Sequence, residues 1–424
     1  MAQYSKHYND YLEQQKTNFE VVMLADNYGN INAGTGGTAT DAFGRSRVAD
    51  PVTLFDSQHR YEENYHWNTA LTGAANKQYN IHESSISLVV SGALNDKVVR
   101  ETKRVFPYQP GKSLLIMNSF AFNPQLSGLR QRIGYFGTDN GIYFENDGTG
   151  NYLVLRRKLT SGAATEVRVA QANWNTDKFD GAGPTLRTLD ISKANIFWLD
   201  IEWLGVGDVR CGFVVDGRMA IAHTFHNDNV NPSAYMTTAI LPLRLEIENT
   251  AATGVSSTMK QICNTVISEG GYEKKVRKSH VSRDSNIAAS TSALTPIISF
   301  RLNSAYKDAV ILPESFHVFS SVQGNFEIVV VRGGTLNNNT WVTQGKVDYN
   351  TAATTISGGT NTTHFYLSTT QQSGGVGAGE DGYNWDTQLT RDLNGTTEIV
   401  TLTARSLDAT DKNIRGSISY YDLT

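Results

Sequence analysis

From about residue 82 to 270, short runs rich in β-branched and aromatic residues recur between turn signals, as strands packed in a sheet require. They stand at Ser113–Phe122, Gln131–Phe136, Ile142–Glu145, Tyr152–Leu159 and Ala194–Leu204. Asp139-Asn140-Gly141 and Asn146-Asp147-Gly148 lie between them, where Asn and Gly supply the positive φ of a tight hairpin. Two packed sheets are the simplest closure of this pattern. Beyond residue 295 a second set follows at Ile297–Leu302, Val310–Val322, Phe326–Arg332, His364–Leu367, Glu398–Arg405 and Arg415–Tyr421. Gln323-Gly324-Asn325 and Leu393-Asn394-Gly395 read as its hairpin turns, and the set predicts a second, smaller sandwich.

Helical spacing is confined to residues 4–20, where Tyr8, Tyr11, Leu12 and Phe19 form one stripe. Residues 30–40 (NINAGTGGTAT) are too rich in Gly and Thr to hold a core, so residues 1–60 read as a helix and an anchoring arm. Gly270-Gly271 and a basic cluster (Lys274, Lys275, Arg277, Lys278, Arg283) mark the boundary between a body at 61–272 and one at 273–424. The cluster reads as a solvated linker or an edge strand that its lysines keep from pairing. No period of about 20 to 50 residues recurs, which disfavours a solenoid or propeller.

Composition narrows the class. The 37 glycines against 9 prolines suit strands and turns, and 39% hydrophobic residues exclude a disordered chain. A net charge of -4 offers no field for phosphate, so nucleic acid is not an expected partner. No apolar run approaches the roughly 20 residues that cross a bilayer, and none opens the chain as a secretory signal would. Two cysteines, Cys211 and Cys263, are too few for a disulfide framework and are expected to be buried thiols.

Few residues offer chemistry. Pro110-Gly111-Lys112-Ser113 lacks the first glycine of a phosphate loop and precedes a strand rather than a helix. His223, His226 and Asp228 could be offered as metal ligands, but residues three apart on a strand face opposite sides. The turns at Asp139, Asn140 and Asp147 lack calcium-loop spacing. No metal or cofactor is therefore expected, and no G-x-S-x-G elbow occurs.

The run from Trp198 to Gly205 (WLDIEWLG) resembles the signature of the laminarinase and licheninase family, which sets Glu, Asp and Glu at alternate strand positions. Asp200 and Glu202 match the second and third positions, but Trp198 stands where the resemblance implies the nucleophile. A retaining hydrolase needs both carboxylates about 5 Å apart, so no enzyme is expected. A structural use is open as well. Phe197, Leu199 and Ile201 alternate in phase with Val209, Cys211 and Phe213, so residues paired across the turn must sum to an even number. A Gly205–Asp208 turn gives 412 and sets Glu202 opposite Arg210.

Residues 42–61, 100–113, 132–145, 174–181, 203–217 and 235–249, close to half the chain, resemble a family of virion structural proteins of tailed, particularly marine, phages. The resemblance implies an extended N-terminal arm and a concanavalin-like or jelly-roll β-sandwich, which with the second smaller sandwich read from the pattern beyond residue 295 makes an all-β chain. It implies a head-decoration or tail-associated protein, synthesised in the host cytoplasm and found in the virion, with capsid or tail subunits as partners and a homo-oligomer, such as a trimer, as its state. Phe43, Arg45, Arg47, Leu54 and Phe55 are the arm residues expected to bind those partners. The alternative is an arm wrapped on its own first sandwich. A second functional reading is a glycan-binding module or tail-fibre adhesin that holds host polysaccharide with Trp174, Trp198, Asp200 and Glu202. That reading requires exposed aromatic faces.

Overall fold

The computed structural model describes residue 41 and residues 50–273, 276–369, 374–379 and 385–424. The expected helix over 4–20, and Phe43, Arg45, Arg47, Lys274 and Lys275, lie outside the described residues.

Alternating apolar residues fold the first half into β1 (Val52–Ser57), β2 (Trp67–Thr72), β3 (Asn76–Asn80), β4 (Ser85–Val90), β5 (Lys97–Thr102), β6 (Ser113–Ala121), β7 (Leu129–Phe136), β8 (Gly141–Asn146), β9 (Asn151–Arg157), β10 (Thr165–Ala170), β11 (Asn195–Ile201), β12 (Val209–Val215), β13 (Arg218–Phe225), β14 (Leu243–Asn249) and β15 (Ser257–Glu269). One sheet runs β13-β12-β11-β6-β15-β4-β3 with β1 added beside β15, and the other runs β10-β9-β8-β7-β14-β5-β2. Both expected hairpins form: Phe136 pairs with Gly141, and Asn146 with Asn151. Between the sheets Phe120, Phe197 and Phe213 meet Ile133, Tyr135 and Phe144, all at most 2% exposed. Phe144 stacks on Phe122 at 5.5 Å and meets Phe213 edge-on at 5.2 Å. Each such side chain contributes about 1.5–3 kcal/mol by leaving water.

Two expectations are corrected here. Residues 52–57 are a strand of this sandwich. The long β15 pairs with β4 up to Gln261, breaks register before Asn264, and pairs with β1 from Asn264 to Ser268. Leu54 and Phe55 are 2% exposed, and the Phe55 ring lies 5.1 Å from Phe106. Those two side chains are spent in their own core and are not offered to another subunit. Cys211 is buried, but Cys263 sits in the register break of β15 and is exposed.

The second half forms a five-stranded and a six-stranded sheet around Ile298, Phe300, Ile328, Leu402 and Ile418. Ile311–Ser320 belongs to the first of these and Gly324–Arg332 to the second, so Gln323-Gly324-Asn325 crosses between sheets instead of turning a hairpin. Among the described residues Arg277–Ser282 pairs only with Lys412–Asp422 and forms the edge of the five-stranded sheet. Its basic residues discourage further strand addition. No helix among the described residues is long and apolar enough to cross a membrane.

Candidate functional site

On β11, Phe197, Leu199 and Ile201 face the core, so Trp198 and Asp200 fall on the outer side of the eight-stranded sheet. The pairing with β12 sums to 410, and Asp200 rather than Glu202 lies opposite Arg210. Arg210 Nε donates to Asp200 Oδ2 at 3.0 Å, Nη2 donates to the same oxygen, and Ser113 Oγ donates to Oδ1. Asp200 is wholly buried. Glu202 has left the ladder: its N–H donates to Asp208 O at 3.2 Å as Leu204 and Gly205 turn the chain at φ 34° and 83°.

The tryptophans are covered too. Trp198 is 0% exposed and its ring lies over Gly212, where an added Cβ would stand 2.7 Å from the indole. Trp174 is 2% exposed, stacks on Phe213 at 6.2 Å, and donates from Nε1 to Val169 O at 3.1 Å. All four of Trp174, Trp198, Asp200 and Glu202 are buried, and Asp200 is ion-paired with Arg210, so they offer no exposed platform for a sugar.

The histidine pair diverges. His223 Nδ1 accepts from Asn175 N–H at 3.3 Å, and burial holds its pKa down to about 4. His226 bonds Asp208 at 2.8 Å. Asp147 caps its own hairpin by accepting from the N–H groups of Thr149 and Gly150, and Asn140 bonds Thr237. Among the described residues no three His, Cys, Asp or Glu side chains gather as metal ligands.

An extended charge network was not read from the sequence. On the outer face of the seven-stranded sheet, opposite charges stand directly across neighbouring strands. Glu101 (β5) meets Arg244 (β14) at 2.7 Å; Glu246 (β14) meets Arg132 (β7) at 2.9 Å; Arg132 meets Glu145 (β8) at 2.6 Å. Arg244 also holds Glu246, and Arg168 on β10 ties Glu145 to Asp147. The guanidinium groups of Arg132 and Arg156 lie over the Tyr143 ring at 5.5 and 5.1 Å, and that of Arg244 lies over Phe136 at 5.7 Å, which roofs aromatic rings that would otherwise face water. Burial pushes the Glu246 carboxyl up, but Arg244, Lys97 and Arg132 together hold it down at about 2.

This ladder runs out of the first body into the second. Glu101 Oε1 accepts from Arg391 Nη1 at 2.5 Å, and Arg391 in turn holds Asp308 at 2.9 Å. Arg391 lies in the stretch from Trp385 to Glu398, which is bonded on both flanks. Toward the first body, Arg391 N–H donates to Lys103 O, Gln388 Nε2 to Val105 O, and Asn68 Nδ2 to Arg391 O, while Trp385 meets Tyr272 edge-on at 4.9 Å. Toward the second, Leu389 N–H donates to Ile311 O, and Arg332 grips Thr387 O, Gln388 O and the Glu398 carboxylate. Beside the junction a cleft of about 270 Å³ is lined by Glu101, Asn140, Arg244, Lys307, Asp308 and Arg391.

No family model and no curated protein matches the chain. Solved structures similar to it include the carbohydrate recognition domain of Emp47p (10% identity, TM-score 0.34, covering 51% of this chain and 96% of that one). A Bacteroides ovatus mixed linkage glucan GH16 protein in complex with its G4G4G3G product is similar at 10% identity and TM-score 0.35, over 50% of this chain and 99% of that one. The Bacillus licheniformis beta-glucanase is similar at 13% identity and TM-score 0.33, over 51% and 98%.

Proposed function

We propose that this chain is a non-catalytic structural component of a tailed-phage particle, carried on the head surface or the tail by contacts with other virion subunits. The resemblance of residues 42–61 and the later blocks to phage virion proteins supplies the class. The observation that carries the structural side of the reading is the Arg391–Glu101 pair, which spends buried charge on joining two sandwiches. Two observations favour a non-catalytic reading over hydrolysis: Trp198 stands in place of one carboxylate, and Asp200 is ion-paired with Arg210. Glycan binding through Trp174 or Trp198 lacks an exposed ring.

Purified particles test this reading. The protein is expected among their proteins by mass spectrometry, and its two sandwiches in their cryo-EM density. Its absence from purified particles would count against the proposal. So would hydrolysis of laminarin or lichenan by the pure protein, if a Glu202→Gln variant lost it.

A further inference from the structure

The interior of the first sandwich holds an arginine. Arg100, on the core face of β5, is 0% exposed and lies 5.3 Å from the Trp67 ring. Its Nε donates to Gln261 Oε1, and its Nη1 donates to Glu63 Oε1 and Thr69 Oγ1, both at 2.7 Å. Nη2 is buried and has no acceptor. One residue along from Glu63, the Asn64 N–H donates to His59 Nδ1 at 3.1 Å. That bond fixes the tautomer: the ring proton sits on Nε2. His59 is also 0% exposed, and Nε2 too is buried with no acceptor.

Both orphan groups are donors, so what completes them must accept hydrogen bonds. Charge selects further. Glu63 is shared between Arg100 and Lys77, whose Nζ lies 2.6 Å from Glu63 Oε2, so two cations stand against one carboxylate. Arg100 is wholly buried while Glu63 and Lys77 are partly exposed, so the interior end of the cluster is cationic: a water would supply only an acceptor there, and an anion supplies an acceptor and a countercharge.

We propose that Arg100 Nη2 and His59 Nε2 border a buried site for a small monovalent anion of the chloride class. After burial, the charge of Arg100 acts most strongly on His59, which stays neutral with its pKa near 4. Glu63 and Asn64, neighbours in the chain, anchor Arg100 and His59 respectively, and a neutral Nε2–H donor with a permanent cation is a donor set that matches halide binding. Glu63 and Lys77 are partly exposed and form the rim through which the ion enters.

Thermal unfolding of the full chain in chloride, against gluconate at equal ionic strength, tests the site, because gluconate is too large for the interior. The melting temperature is expected to climb with the logarithm of chloride concentration, by a few degrees for about a tenfold increase. Arg100→Met should abolish the dependence and His59→Phe weaken it. Crystals of the wild-type protein soaked in bromide should give an anomalous peak beside both nitrogens, a result that needs no variant to fold. Equal melting in the two salts, or a bromide map with only water or no density at that point, overturns the proposal.

Discussion

Arg391 and Glu101 lie 290 residues apart in sequence and meet at 2.5 Å across the junction of the two sandwiches. Glu101 keeps Arg244 when Arg391 is removed, so the loss is that of charge-assisted contacts to Glu101 and Asp308, about 1.5–3 kcal/mol. Arg391→Met is therefore expected to weaken the joint without touching either core. Calorimetry should resolve two transitions where the parent shows one, and limited proteolysis should accelerate near Gly270. A single unshifted transition in the variant would show that the pair holds nothing.

Arg210 and Asp200 form a second, deeper ion pair. Arg210→Met is expected to cost about 3–5 kcal/mol in urea denaturation, since Asp200 is fully buried. The double variant Asp200→Leu/Arg210→Met should recover most of that loss. If the single variant is as stable as the parent, the charge of Asp200 is compensated elsewhere.

Gly212→Ala probes the packing of Trp198. A Cβ at residue 212 would lie 2.0 Å from the Ala220 carbonyl oxygen, which is backbone, besides meeting the indole. Overpacking of this kind costs about 1–3 kcal/mol, and the backbone clash puts this position at the upper end. A lowered melting temperature with a shifted tryptophan emission is expected; an unchanged spectrum would place the ring elsewhere.

Acid should weaken the fold in two stages. His59, His66 and His223 have pKa values held down from 6.5 to about 4, burial being the first cause in each. The unfolded chain binds protons at these groups near pH 6.5 and the native chain only near 4, so stability is full above 6.5 and falls as pH drops through that window. Glu246, at about 2 in the native state against 4.5, then adds a loss between pH 4.5 and 2. Urea midpoints at pH 7.5, 5 and 3 should decrease in that order, and a midpoint equal at 7.5 and 5 contradicts the first stage.

The sequence pattern revealed which faces are buried but not how much chain each turn consumes. Phe197, Leu199 and Ile201 were in phase with Cys211 and Phe213, as expected, yet pairing sums to 410 rather than 412. The turn takes in Glu202, because Glu202 N–H bonds Asp208 O and Gly207 N–H bonds Trp203 O. That displacement by two residues gave Arg210 to Asp200. The charge ladder had a signal, Arg130-x-Arg132 against Glu246-x-Glu248, but it becomes legible only once β7 and β14, 114 residues apart at Arg132 and Glu246, are known to be neighbours. The buried role of Phe55 was hidden for a similar reason. β1 fits beside β15 only after a register break at Gln261–Asn264 that local sequence does not announce.

The stretch from Trp385 to Glu398 is bonded to β5 and its following loop on one flank and to Ile311 and Arg332 on the other. A torque applied to either sandwich thus reaches its neighbour through a segment gripped from both sides, besides the link at Gly270 and Gly271, whose carbonyls are held by Lys112 and Ser268. Such a double grip works against bending at the joint, a useful property wherever one end is fastened and the other meets flow or collision.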